Sequence, residues 1–157
     1  MKNHDNEFMR EAIRLSVENI GNNGGPFGAV IVKDNAIIAR GTNRVTSSID
    51  PTAHAEIVAI REAATKLNNF DLSGCAIYTS CEPCPMCLSA IYWARIDRVF
   101  YGNTKDDAKK IGFDDSFIYD EIKLPIEKRT ITTTQLLRDE AIEGFRKWEE
   151  LEDKTEY

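Results

Sequence analysis

Apolar positions recur along the chain with two different periods, and the switches between them mark out helices and strands. Between residue 5 and about residue 20, Phe8, Met9, Ala12, Ile13, Leu15 and Ile20 keep helical spacing, and Gly21 closes the run. This predicts an amphipathic first helix. Gly24-Gly25-Pro26 then breaks the chain. Residues 27–32 and 36–39 flank the turn Lys33-Asp34-Asn35 and predict an antiparallel hairpin. The second strand runs out at Gly41-Thr42-Asn43, and polar residues 44–50 read as a loop leading to Pro51.

From residue 53 to 67, Ile57, Ala59, Ile60, Ala63, Ala64 and Leu67 form one apolar stripe, so a helix is expected, ending at Asn68-Asn69. A strand follows at 75–79, then a short helix that starts in Pro85-Met86-Cys87 and runs through Trp93. Proline is well tolerated in a first helical turn. Residues 98–102 read as another strand and 105–111 as another short helix. The alternation implies an α/β layer structure with parallel crossovers beside the hairpin. Beyond it, residues 112–117 read as a loop rich in aromatics and carboxylates, and residues 130–134 have strand propensity. A last helix is expected from about residue 140 to 151, with Ile142, Phe145, Trp148 and Leu151 as its apolar positions, before a polar tail.

Composition narrows the class. A chain of 157 residues, 42% hydrophobic and 29% charged, suits one globular domain spanning residues 1–157. No apolar run approaches the roughly 18 residues that cross a bilayer, and the stretch Met1-Lys2-Asn3-His4-Asp5-Asn6 has no apolar signal core, so a cytoplasmic protein without a membrane role is expected. The net charge of −6 removes the general attraction to phosphates on which non-specific nucleic-acid binding depends. A small neutral or cationic ligand suits this surface better. Under reducing conditions, cysteines clustered at positions 75, 81, 84 and 87 favour metal ligation over disulfides.

The chemistry concentrates in two stretches, Thr52-Ala53-His54-Ala55-Glu56 and Pro83-Cys84-Pro85-Met86-Cys87. One imidazole and two thiols, His54, Cys84 and Cys87, are the donor set of a catalytic zinc that keeps one position open to water. Such a metal acidifies its water at neutral pH. Both ligand sets fall at predicted helix starts, where exposed amides and the macrodipole favour thiolate. Glu56 follows His54 by two residues, about 200° around an ideal helix, so the two converge only if His54 lies at an irregular helix start. A carboxylate so placed binds no metal but stands beside the water as a proton carrier. The alternative is a structural knot closed by Cys81 as a fourth ligand, which leaves Glu56 unexplained. Otherwise Cys81 packs at a strand end, Cys75 is a buried thiol and His4 is solvated.

His54-Ala55-Glu56 with Pro83-Cys84-Pro85-Met86-Cys87 resembles the signature of the zinc-dependent nucleobase and nucleoside deaminases. Pro26-Phe27-Gly28-Ala29-Val30 and Tyr78-Thr79-Ser80-Cys81-Glu82 also fit that family. The resemblance implies a cytidine-deaminase-like fold, a three-layer α/β/α sandwich around a mixed five-stranded sheet. It also implies one Zn²⁺ per subunit and hydrolytic loss of an exocyclic amine as ammonia.

Within the family, Gly112-Phe113-Asp114-Asp115-Ser116-Phe117-Ile118-Tyr119 and the terminal Glu156-Tyr157 are most similar to the short bacterial guanine deaminases. That resemblance implies conversion of guanine to xanthine and ammonia in purine catabolism or salvage. It assigns purine contacts to Asn43, Asp115 and the backbone amide of Ala55, with Phe27, Trp93 and Phe113 enclosing the base. It further implies a homodimer that exchanges C-terminal segments, here residues from about 130 to 157, so that Tyr157 seals the partner's site. A chemical argument supports Asp115: guanine offers N1–H and a 2-amino donor to one carboxylate, whereas adenine would set an N1 lone pair against it. Adenosine deamination in tRNA and a non-catalytic zinc-stabilised module are the alternatives. The acidic composition and the Phe-Asp-Asp-Ser segment argue against the first, and Glu56 beside an intact ligand set argues against the second.

Overall fold

Asp34 and Asn35 both take the left-handed backbone conformation, with φ of 51° and 60°. A two-residue hairpin turn whose twist matches its strands needs that pair of conformations. It joins β1 (Gly28–Lys33) to β2 (Ala36–Thr42). The computed structural model that shows this describes residues 3–157; Met1 and Lys2, at the head of the polar N-terminal stretch, lie outside the described residues. Strand β1 also pairs antiparallel with β3 (Ala76–Cys81), and β3 pairs parallel with β4 (Arg98–Asn103). The result is a mixed sheet in the order β2-β1-β3-β4.

Alternation along the central strands separates two cores. Val30, Val32, Ala76 and Tyr78 pack with Phe8 and Ala12 of α1 (Asn3–Gly21) on one face. Ala29, Ile31 and Ile77 pack on the other face with Ala55, Ala59 and Ala63 of α3 (Ala55–Leu67) and Ile91 of α4 (Pro85–Trp93). This is the expected three-layer sandwich, with the two helices that begin in the candidate site lying on one side of the sheet. Gly41 of β2 makes the close packing of α3 possible, since a Cβ there would meet the Ala55 carbonyl oxygen at 2.0 Å.

Among the described residues the sheet has four strands, not five. Residues 130–134 do not form a strand despite their β-branched side chains. The Glu121 carboxylate instead accepts from the Thr130 amide and hydroxyl at 2.8 and 2.9 Å, holding the segment in a bend. Strand preference is realised only where a sheet offers a partner. Two helices were not expected: α2 (Val45–Ser48), inside the presumed loop, and α6 (Ser116–Lys123), after α5 (Lys105–Lys110). The last helix, α7, spans Arg138–Glu149 and so begins slightly before its expected start.

The chain divides into two compact units, Met1–Ser116 and Phe117–Tyr157. The second holds most of α6, a 3₁₀ turn (Ile126–Lys128) and α7. None of its residues is buried, and Ile131, Leu136, Leu137 and Phe145 are between 69% and 79% exposed. Among the described residues no helix is long and apolar enough to cross a membrane.

Candidate active site

His54 is the N-cap of α3, with extended backbone angles (φ −68°, ψ 156°), so it stands just outside the helix. Glu56 is already in the first turn. This irregular start is the condition under which the two side chains converge. Cys84 is the corresponding N-cap of α4 (φ −65°, ψ 168°), followed by Pro85 at the first helical position, and Cys87 sits in the first turn. Helices α3 and α4 thus deliver both ligand sets from the same end. The His54 Nδ1 lies 3.5 Å from Cys84 Sγ and 3.4 Å from Cys87 Sγ.

These spacings test whether a metal fits. With Zn–S near 2.3 Å and Zn–N near 2.0–2.1 Å at tetrahedral angles, N and S ligand atoms should stand about 3.6 Å apart. The three ligand atoms all lie within 4.8 Å of one another, and among the described residues no other His, Cys, Asp or Glu joins the group. Charge points the same way. Cys84 is pulled down to about 4, chiefly by the hydrogen bond from Cys87 and also by His54, while that same bond and burial push Cys87 up. Two adjacent thiols share one negative charge, and a divalent cation removes that conflict. Three protein ligands leave a fourth position, unlike a closed knot. Cys81 stays outside the group; buried at the end of β3, it lies 3.6 Å from the Thr104 carbonyl oxygen.

Glu56 is only 6% exposed. Its Oε1 accepts from the Thr79 hydroxyl at 3.3 Å and its Oε2 from Cys87 Sγ at 3.4 Å. Burial raises its pKa above the ordinary carboxylate range, since desolvation disfavours the charged form. Thr79 received no role from the sequence. Strand alternation was the available signal, because Thr79 follows Ile77 by two residues and so faces α3.

A cleft of about 480 Å³ opens on this group, within the range of small-ligand sites. Phe27, Asn43, Glu82, Phe113 and Asp115 line it with His54, Glu56 and Cys84. Phe27 and Phe113 meet edge to face, with ring centres 5.0 Å apart. Asn43 is buried, and its Oδ1 accepts from the Val45 amide at 3.2 Å. It thus ends the hairpin strand, as a turn residue does, and also faces the cleft.

The two neighbouring aspartates separate cleanly. Asp114 turns its carboxylate onto Ser116, accepting from its amide and hydroxyl, and pairs with Lys109 at 3.3 Å. Asp115 is half-buried on the cleft wall, and desolvation raises its pKa, with the charge of Cys84 adding to it. Glu82 also lines the cleft, and its Oε2 accepts from the Lys105 amide at 3.0 Å.

Two expected residues are not brought to the cleft in the same way. Trp93, at the end of α4, is 66% exposed and borders a shallow depression with Ser89, Tyr92 and Arg95. Cys87 and Ile91 are the buried face of α4, and Trp93 lies roughly 200° around from Ile91, so it points away. Tyr157 belongs to the second unit and is 71% exposed.

A three-layer sandwich with a His/Cys/Cys group at two helix starts and a buried carboxylate beside it defines a class of hydrolytic metalloprotein. The profile of the cytidine and deoxycytidylate deaminase zinc-binding region matches residues 2–103, and the chain belongs to that family, whose metal is zinc. Over 156 residues it is 54% identical to the guanine deaminase of Bacillus subtilis (strain 168), covering 99% of both chains. The solved structure of guanine deaminase from Bacillus subtilis matches with a TM-score of 0.95 at 52% identity, over 100% of this chain and 99% of that one. A tRNA-specific adenosine deaminase of Buchnera aphidicola subsp. Schizaphis graminum is 39% identical over 111 residues, 71% of this chain and 74% of that one.

Proposed function

We propose that the protein is a zinc-dependent guanine aminohydrolase that converts guanine and water to xanthine and ammonia. The observation that carries this reading is the placement of Asp115: its carboxylate faces the cleft while that of Asp114 is held on its own turn. Full-length likeness to a guanine deaminase supports it, whereas the tRNA-deaminase likeness covers only 71% of the chain.

His54, Cys84 and Cys87 would hold the zinc, which when bound would supply a Lewis acid that makes water nucleophilic near neutral pH. Asp115 accepts from N1–H and the 2-amino group and so turns C2 of guanine towards the metal side of the cleft. Phe27 and Phe113 enclose the base, and Asn43 contacts its edge. The amide of Ala55 lies in the first turn of α3, where N–H groups have no partner within the helix, and it contributes a further donor. Glu56 takes a proton from the attacking water and passes it to N3, the ring nitrogen beside C2, and then moves the remaining proton of the new C2 hydroxyl to the departing amine. The C2–O bond forms, the C2–N bond breaks and ammonia leaves. A carboxylate whose pKa is raised by burial suits both directions of this transfer. The Thr79 hydroxyl holds its other oxygen.

The protein acts in the cytoplasm as a homodimer in which the segment from about residue 130 to 157 is exchanged and Tyr157 closes the partner's cleft. The exposed Ile131, Leu136, Leu137 and Phe145 support this, since they leave apolar surface for a second copy to cover.

Ammonia release from a panel of purine bases and nucleosides by the zinc-loaded protein tests the assignment. Guanine should be turned over and adenine rejected. Turnover of adenine or adenosine without turnover of guanine overturns the reading.

A further inference from the structure

Helix α1 packs on the face of the sheet opposite α3 and α4, so its side chains are not expected to bear on the cleft. Asn19, in its last turn, is 5% exposed. Amides are seldom buried so deeply unless their hydrogen bonds are met inside the protein. Its Nδ2 donates to the carbonyl oxygens of Gly25 and Asn43, each at 2.8 Å. Both acceptors are carbonyls, so only the NH₂ end of the amide can face them and its orientation is fixed. The Gly25 oxygen also accepts from the Phe27 amide at 2.8 Å, and the Phe27 oxygen accepts from the Asn43 amide at 3.2 Å. One side chain thereby fastens the two segments that carry Phe27 and Asn43 into the cleft, although it does not line the cleft itself.

The two glycines of the break at 24–26 make room for this arrangement. A Cβ at Gly24 would meet Asn19 Nδ2 at 2.2 Å and the Asn43 oxygen at 2.8 Å. At Gly25 it would meet Asn43 Cγ at 3.2 Å and Phe27 Cδ2 at 3.3 Å. The pair is a gap through which an amide on α1 reaches the two backbone oxygens.

We propose that Asn19 is a positioning residue for substrate, setting Asn43 and Phe27 for the purine from outside the cleft through the carbonyls of Gly25 and Asn43. The proposal rests on the guanine reading above. Neither Asn43 nor Phe27 belongs to the metal group, so Asn19 acts on binding of the base more than on the chemical step. Loss of this amide lets the Asn43 strand end and the Phe27 turn drift apart while the zinc ligands stay in place.

The test is a pair of full-length, zinc-loaded variants, Asn19→Ala and Gly24→Ala, assayed for kcat and KM with guanine alongside bound zinc. The first removes the donor; the second crowds the same contact from the opposite side and keeps the question open should the first fail to fold. The expected result is a KM raised by about tenfold, close to one displaced hydrogen bond, with kcat per bound zinc within about twofold of the parent. A role in stability alone would reduce the active fraction, lowering kcat at unchanged KM. That result, or parental constants in both variants, overturns the proposal. A parent protein that releases no ammonia from guanine overturns the guanine reading instead, which keeps the two failures distinct.

Discussion

Asp114 and Asp115 are adjacent carboxylates in different surroundings, and the difference lies in what each already holds. Asp114 accepts two hydrogen bonds from Ser116 and an ion pair from Lys109. Asp115 faces the cleft and is partly desolvated. Replacing Asp115 with alanine should lower kcat/KM for guanine by about a hundredfold, the scale of a hydrogen-bonded charge lost from a site. Activity on adenine should not fall with it, so the guanine-to-adenine ratio collapses; an unchanged ratio removes Asp115 from substrate recognition. Glu56→Ala makes the complementary case, with turnover abolished and zinc retained, measured as metal content beside ammonia release. Activity surviving in that variant refutes the proton-carrier role.

At the scale of elements, the site depends on two helix starts in register on one face of the sheet. The N-caps His54 and Cys84 keep extended backbones, and the following turns bring Glu56 and Cys87 inward. Gly41 sets the height of α3 above β2. Gly41→Ala should destabilise the protein by about 1–3 kcal/mol through overpacking, read as a lower midpoint in urea unfolding. A fold that accepted the methyl without loss would show that α3 is free to move off the strand.

The elements that build this face were legible in the sequence because each carries a strong local signal. The hairpin has its turn pair, α3 its alanine-rich stripe and α4 its proline at the first position. Even the two-residue offset between His54 and Glu56 could be turned into a demand for an irregular helix start, which α3 meets. Other features were hidden by longer-range causes. Residues 130–134 carry strand residues with no sheet edge to join, and α6 follows a turn in which Asp114 accepts from the Ser116 amide, which a loop-like composition conceals. Trp93 was assigned to the cleft by likeness, while the buried face of α4 turns it away. Asn19 was unreadable because its partners lie on segments that meet it only after folding.

At the scale of the whole molecule, the second unit raises the question of what covers it. None of residues 117–157 is buried, yet Leu136, Leu137 and Phe145 are apolar. A globular chain seldom leaves so much apolar surface in one segment without a partner. Light scattering should report two chains per particle, and removing residues 155–157 should raise KM for guanine while leaving the particle dimeric. A monomeric parent, or kinetics untouched by the truncation, rules out the exchanged tail as a cover for the cleft.

The paired helix starts have one more consequence. His54 and Cys84 are 84 − 54 = 30 positions apart, and β3, a central strand, lies between them in the chain. Bound zinc is therefore a staple closing a loop around a strand that the sheet already secures, so its mechanical effect falls on the ends of α3 and α4 and not on the sheet. Stripping the metal with a chelator should speed amide hydrogen exchange in the first turns of those two helices while the β1 and β3 amides keep their protection. Collapse of protection throughout the sheet would show instead that the metal is a keystone of the whole fold.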